Sequence, residues 1–136
     1  MNRYTLLLCL AITAQAEPLP KFWVALHQVE TRGRHGAIKG DGGRALGPLQ
    51  IHYVYWKDAK VKGKYSDCSK LAYSITVAKA YMKRYAPNAY RDNNYEVLAR
   101  IHNGGPSGHR KKATIKYWNK VRKEMNTYDK EPKRVH

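Results

Sequence analysis

The stretch "HQVETRGRHGAIKGDGGRALGPLQI", residues 27–51, contains the two acids best placed to do chemistry, Glu30 and Asp41. Glu30 closes an apolar stretch in which Trp23, Leu26 and Val29 precede it, so its carboxyl falls where core meets solvent. A carboxyl partly withdrawn from water can keep a proton near neutral pH and deliver it, which general acid catalysis requires. Asp41 follows eleven residues later, inside "KGDGG". If the glycine-rich segment folds back, Asp41 stands as a second carboxylate opposite the first. Cleavage of a glycosidic bond with retention uses such a pair. One acid protonates the leaving oxygen, and the other attacks or stabilises the sugar cation. Each residue also has a plainer role open to it. Glu30 can pair with Arg32 or Arg34, and Asp-Gly is a favoured turn in which the aspartate bonds its own backbone.

The elements that must position these acids follow from periodicity. Pro20 suits a first helical turn, and Phe22, Leu26 and Val29 recur at helical spacing, which predicts a helix over 20–31. The glycines between 33 and 47 exclude a regular helix and predict turns or a short hairpin. "PLQIHYVYWKDA" reads as a short second helix led by Pro48, with Leu49, Ile51, Val54 and Tyr55 on its apolar face. "YSDCSKLAYSITVAKAYMKRYAP" is a helix capped by Ser66 or Asp67. Its stripe is Leu71, Ile75, Ala78 and Met82, widened by Val77 and Tyr81, and Pro87 ends it. "NNYEVLARIHNGGP" is capped at Asn93 or Asn94, buries Val97, Leu98 and Ile101, and stops at Gly104–Gly105. "KATIKYWNKVRKEM" is a last amphipathic helix with Ile115, Trp118, Val121 and Met125 inward. There is no internal repeat. The expected fold is mainly α, a small helical domain with one short glycine-rich hairpin.

The first residues read as a signal for export. Asn2 and Arg3 precede the apolar "YTLLLCLAI", too short to span a bilayer, and "AQAE" places cleavage after Ala16. The expected organisation is a signal peptide over 1–16, a catalytic domain over 17–126 and a basic polar tail over 127–136. No other apolar run reaches membrane length, so no transmembrane segment is expected in the mature chain. Cys68 is its one cysteine, which excludes an intramolecular disulfide, and no staple supports its modest core. With 26 Lys and Arg against 10 Asp and Glu, the chain suits anionic partners. Export turns that preference toward a bacterial envelope, and no nucleic-acid module is recognisable. The histidines and Cys68 lack metal-ligand spacing, so no metal or organic cofactor is implied. A monomer is expected. Within "IHNGGPSG", residues 101–108, a helix end without bulky side chains suits contact with a polymer's amides and hydroxyls. A simple C-cap followed by a proline turn gives the same letters.

"GPLQI" at 47–51, "YWKDA" at 55–59, "AYMKRYA" at 80–86, "ARIHNGGP" at 99–106 and "YWNKV" at 117–121 occur in this order behind Glu30. In this the chain resembles the invertebrate-type lysozymes over roughly residues 22–122. The resemblance implies an α+β lysozyme-like fold and a secreted, extracellular or periplasmic, muramidase. Such an enzyme cuts the β-1,4 bond between N-acetylmuramic acid and N-acetylglucosamine in peptidoglycan. It implies Glu30 as general acid, Asp41 as second carboxylate, and Gln50, Ile51, His102, Asn103 and Gly104 as glycan contacts. His102 would donate to the glycan or orient a carboxylate. The skeleton is also similar to lytic transglycosylases, in which a single glutamate works alone. A cationic antimicrobial or glycan-binding protein without catalysis is the reading from a different class. One departure stands out: positions where the family carries disulfide cysteines hold Arg34, Gly36, Leu46 and Ala59 or their neighbours. The glycine-rich excursion is therefore expected to be less firmly held.

Overall fold

A computed structural model describes Pro18 and residues 20–131; the segment read as a signal peptide and the last five residues lie outside the described residues. Helix α1 (Pro20–Thr31) forms where the periodicity placed it and buries Phe22, Trp23, Ala25 and Leu26. Arg32 and Gly33 end it, both with positive φ. The chain then folds back as a three-stranded antiparallel sheet of very short strands, β1 (Lys39–Gly40), β2 (Ala45–Leu46) and β3 (Ile51–His52). Lys39 pairs with Leu46, and Leu46 pairs in turn with Ile51.

Five helices follow: α2 (Tyr53–Ala59), α3 (Leu71–Tyr85), α4 (Pro87–Arg91), α5 (Tyr95–Gly104) and α6 (Ile115–Lys130). They close one core with α1. The ring of Phe22 stacks on Tyr95 at 5.1 Å, joining α1 to α5, and Tyr55 stacks on Tyr81 at 3.7 Å, joining α2 to α3. Helix α6 lies along α1 and buries Val121 and Met125. No helix among the described residues is long and apolar enough to cross a membrane.

Several local expectations differ from the structure. The second helix begins at Tyr53, not near Pro48, because Gln50 adopts φ +52 and residues 51–52 pair with β2 instead. Leu49 and Ile51 still reach the core, from a turn and a strand, while Val54 is left 68% exposed. The cap expected for α3 serves an earlier turn: Asp67 accepts from the Lys64 amide at 2.9 Å, and α3 itself starts at Leu71. Pro87 ends α3 as expected but also opens α4, where its missing N–H costs nothing. At the other end, Ile115 is 41% exposed, and α6 continues to Lys130, past residue 126.

The turn at Gly47 locks the sheet to the helices. Its φ is +80°, and a Cβ there would lie 1.8 Å from the Cys68 carbonyl oxygen. That carbonyl cannot retreat, because the Ser74 hydroxyl at the start of α3 donates to it at 2.7 Å. Cys68 itself is free and fully buried, with its thiol pushed up to about 12 by burial and then by the charge of Asp67. It packs as a small apolar residue, out of reach of another chain. Gly47→Ala combines a disfavoured backbone angle with a clash against fixed backbone. We expect a loss of at least ~2 kcal/mol in denaturant unfolding. Val54→Thr, on the solvent side of α2, should stay within ~0.5 kcal/mol.

Candidate active site

Glu30 sits in the last turn of α1, and three side chains fix that turn. The Thr31 hydroxyl donates to the Pro48 carbonyl at 2.9 Å, tying the helix end to the "GPLQI" turn. His27 Nε2 donates to the Arg34 carbonyl at 2.7 Å, and Arg34 Nε donates back to the Thr31 carbonyl at 3.0 Å. The arginine is therefore committed to backbone, and the ion pair open to Glu30 in sequence is not made. The partners of Glu30 are instead Tyr117 from α6 and His102 from α5. The Tyr117 hydroxyl donates to Oε1 at 2.6 Å, and His102 Nε2 lies 3.5 Å from the same oxygen. The Glu30 side chain keeps 17% of its surface exposed, and that of His102 only 2%.

The protons in this cluster can be assigned from chemistry. His102 Nε2 also lies 3.1 Å from the Leu49 carbonyl, which can only accept, so Nε2 carries the hydrogen. The Tyr55 hydroxyl stands 3.0 Å from the other ring nitrogen, Nδ1. Burial, and next the neighbouring Tyr81, hold the Tyr55 phenol well above its ordinary range, so it stays protonated and donates to Nδ1. Burial followed by the Glu30 charge does the same for Tyr117, keeping it a donor. Tyr117 thus donates to Oε1, which the His102 ring also faces, and among the described residues Oε2 has no hydrogen-bond partner.

Asp41 lies at the head of the hairpin, between β1 and β2, in a tight turn with φ +50. Its carbonyl accepts from Arg44 Nε at 3.0 Å, as a turn aspartate's backbone would. Its carboxylate reaches outward, 2.9 Å from an Arg44 terminal nitrogen and 3.3 Å from His52 Nε2, and is about half exposed. Folding back, the expected consequence of the glycines, therefore occurs.

The expected glycan contacts fare differently. Asn103 is exposed at the end of α5. Gln50 donates through Nε2 to the Ile38 carbonyl at 3.1 Å and the Gly47 carbonyl at 2.9 Å, so its amide braces the hairpin. Gly40 makes room for it, since a Cβ there would meet Gln50 Oε1. Ile51 is corrected: its side chain is fully buried, and its carbonyl accepts from the Tyr65 hydroxyl at 2.6 Å, leaving no surface for a ligand. His102 likewise turns inward, with Nδ1 engaged by Tyr55 and Nε2 by the Leu49 carbonyl. The Gly104 carbonyl is taken by Lys111 Nζ at 2.6 Å. Sequence reasoning missed Tyr117 and Tyr55. Both stand in motifs that it singled out, but a tyrosine on an amphipathic helix gives no sign of which carboxyl or imidazole it will meet. The tautomer is directly testable. In alkaline solution, nitrogen NMR should show His102 protonated at Nε2, and Tyr55→Phe should leave Nδ1 unprotonated but without its hydrogen-bond signature. A proton found on Nδ1 in the wild type would refute the assignment.

A family model described as Destabilase matches residues 25–124. The lysozyme of Meretrix lusoria is 37% identical over 99 residues, covering 71% of this chain and 81% of that protein. The invertebrate-type lysozyme of Ruditapes philippinarum is 39% identical over 84 residues, 60% of this chain, and the chain spans 62% of that protein's length. Among solved structures, Meretrix lusoria lysozyme in complex with Aeromonas hydrophila PliI superposes with a TM-score of 0.69 at 32% identity. That match covers 81% of this chain and 93% of the other. Tapes japonica lysozyme superposes with a TM-score of 0.67 at 32% identity, covering 79% and 94%. A match over most of the chain, on an α+β fold shared with those lysozymes, leaves one assignment: the protein belongs to the Destabilase family of invertebrate-type lysozymes.

Proposed function

We propose that the chain is an exported muramidase that hydrolyses the β-1,4 bond between N-acetylmuramic acid and N-acetylglucosamine in peptidoglycan. Membership of a family whose relatives are named lysozymes supports the activity. The N-terminal apolar segment, read from sequence, supports export. The observation that carries the assignment of roles is the asymmetry of Glu30: the Tyr117 hydroxyl donates to Oε1, and among the described residues Oε2 has no hydrogen-bond partner. Oε2 is then the oxygen that holds the proton and passes it to the glycosidic oxygen. As the C1–O bond breaks, negative charge grows on Glu30, where Tyr117 already points its hydrogen and the His102 ring stands close by. Such a preset donor needs no reorganisation and stabilises the developing charge. Asp41 supplies the second carboxylate, attacking C1 or stabilising its positive charge. Arg44 and His52 hold it in place on the exposed hairpin. Glu30, now a base, takes a proton from water that attacks C1, and the product carries a reducing end. Asn103 is the best-placed of the expected glycan contacts, being exposed beside the helix end that carries His102.

Digestion of purified peptidoglycan with mass analysis of the ends tests this reading. Glu30→Gln should lose at least ~10³-fold in kcat, since it cannot donate a proton. Asp41→Asn should also fall steeply. Near-normal activity of Asp41→Asn with anhydro-muramyl ends would establish a lytic transglycosylase, and bacterial killing untouched by Glu30→Gln would establish a non-catalytic cationic protein. Tyr117→Phe keeps the ring but removes the donor to Oε1. One hydrogen bond to a group becoming charged is worth ~1.5–3 kcal/mol, so kcat should drop about 10- to 100-fold with little change in KM. A normal kcat would show that Tyr117 only packs.

A further inference from the structure

Helix α6 has two unlike faces. The inner face supplies Tyr117 to Glu30 and Val121 and Met125 to the core. On the outer face, Lys116, Lys120, Lys123 and Lys130 recur at helical spacing, with Arg122 beside them, and all five are exposed. Among the described residues none of the five makes an ion pair, and Arg122 reaches only the Asn119 side chain, at 3.5 Å. Asp129, an acid of the same helix, is engaged with Lys21.

Two shallow grooves give this face its shape. One, of about 500 Å³, is lined by Asn119, Arg122, Lys123, Asn126, Thr127 and Lys130. The other, of about 420 Å³, lies where α6 meets the end of α1, lined by Gln28, Val29, Arg32, Lys120, Lys123 and Glu124. Lys123 borders both, so its row of cations forms a track along the rim the two grooves share. From Lys120 to Lys130 it runs for about 15 Å, the rise of ten helical residues.

We propose that this track binds a linear phosphodiester polymer of the kind attached to bacterial walls, a poly(polyol phosphate). A chain with an anion every few ångströms meets Lys116, Lys120 and Lys123 on successive helical turns, about 5.4 Å apart, and Lys130 two turns further on. Asn119, Asn126 and Thr127 add neutral donors for phosphate oxygens. The chemistry of the face separates this partner from other anions. Insertion into a lipid surface uses large apolar side chains, and single-stranded nucleic acid is held on aromatic platforms; the grooves contain neither. The site is separate from the acid cluster and binds whether or not Glu30 cleaves a glycan.

Titration calorimetry of the whole protein against poly(glycerol phosphate), repeated over a range of salt, tests the proposal. The variant Lys116→Gln, Lys120→Gln, Lys123→Gln, Lys130→Gln should bind at least tenfold more weakly. Its slope of log affinity against log salt should fall by about 3, from ~0.7 per lost contact. A variant with the same charge change elsewhere, Lys57→Gln, Lys60→Gln, Lys62→Gln, Lys64→Gln, should lose less than threefold. Hydrolysis of a soluble uncharged glycan should be unaltered in both. Equal losses in the two variants would overturn the proposal in favour of net charge. So would polymer affinity no greater than that for anionic lipid vesicles or single-stranded DNA.

Discussion

The hydrogen bond from Tyr117 to Glu30 joins residues 87 positions apart, and much of the architecture exists to permit it. It requires α6 to lie along α1, with a donor facing the last turn of that helix. It also requires the phenol to be buried, which keeps it protonated and makes the 2.6 Å contact a donation to the acid. His102 completes the arrangement from α5, and its own orientation depends on Leu49 and Tyr55. Tyr117 and His102, from two helices far along the chain, therefore face one carboxyl oxygen, and Leu49 and Tyr55 hold the imidazole in turn. Disturbing any of them changes the setting of the acid without touching a sugar.

The hairpin is held differently. Cys68 is a free thiol, so no disulfide among the described residues ties the glycine-rich excursion, which is closed with side chains bonded to backbone. Thr31 reaches Pro48, His27 reaches Arg34, Gln50 spans Ile38 and Gly47, and Tyr65 reaches Ile51. Each such bond is worth about 1 kcal/mol net, against a few for a disulfide, so several are needed to replace each staple. This explains why Gln50 and Ile51, attractive as glycan contacts, are occupied with structure. The looseness expected of an unstapled loop meets a dense set of local bonds instead.

Charge is distributed to match. Carboxylates are few, and several are spent locally: Asp41 with Arg44 and His52, Glu96 with Arg100, Asp92 with Arg91. The excess cations remain at the surface, α6 carrying a dense group of them. A field of one sign brings the protein toward anionic envelopes and is screened by salt, whereas the acid cluster sits within the fold, where screening is weaker. Tyr117 and the exposed lysines thus occupy opposite faces of the same helix.

Sequence by itself determined the features that depend on near neighbours. The 3.6-residue stripes gave α1, α3, α5 and α6, and the glycines gave the reversal after α1. The position of Glu30 at a helix end, where core meets solvent, was likewise legible in the sequence. It failed where one local preference competed with another: Pro48 suits a helix start, but the turn at Gln50 and pairing with β2 claimed residues 49–52. Only the tertiary structure decided what Glu30 touches, which way His102 faces, and that Ile51 is core. Those outcomes depend on the packing angles of α5 and α6 against α1, set by the summed burial of many side chains. No spacing along the chain records that sum.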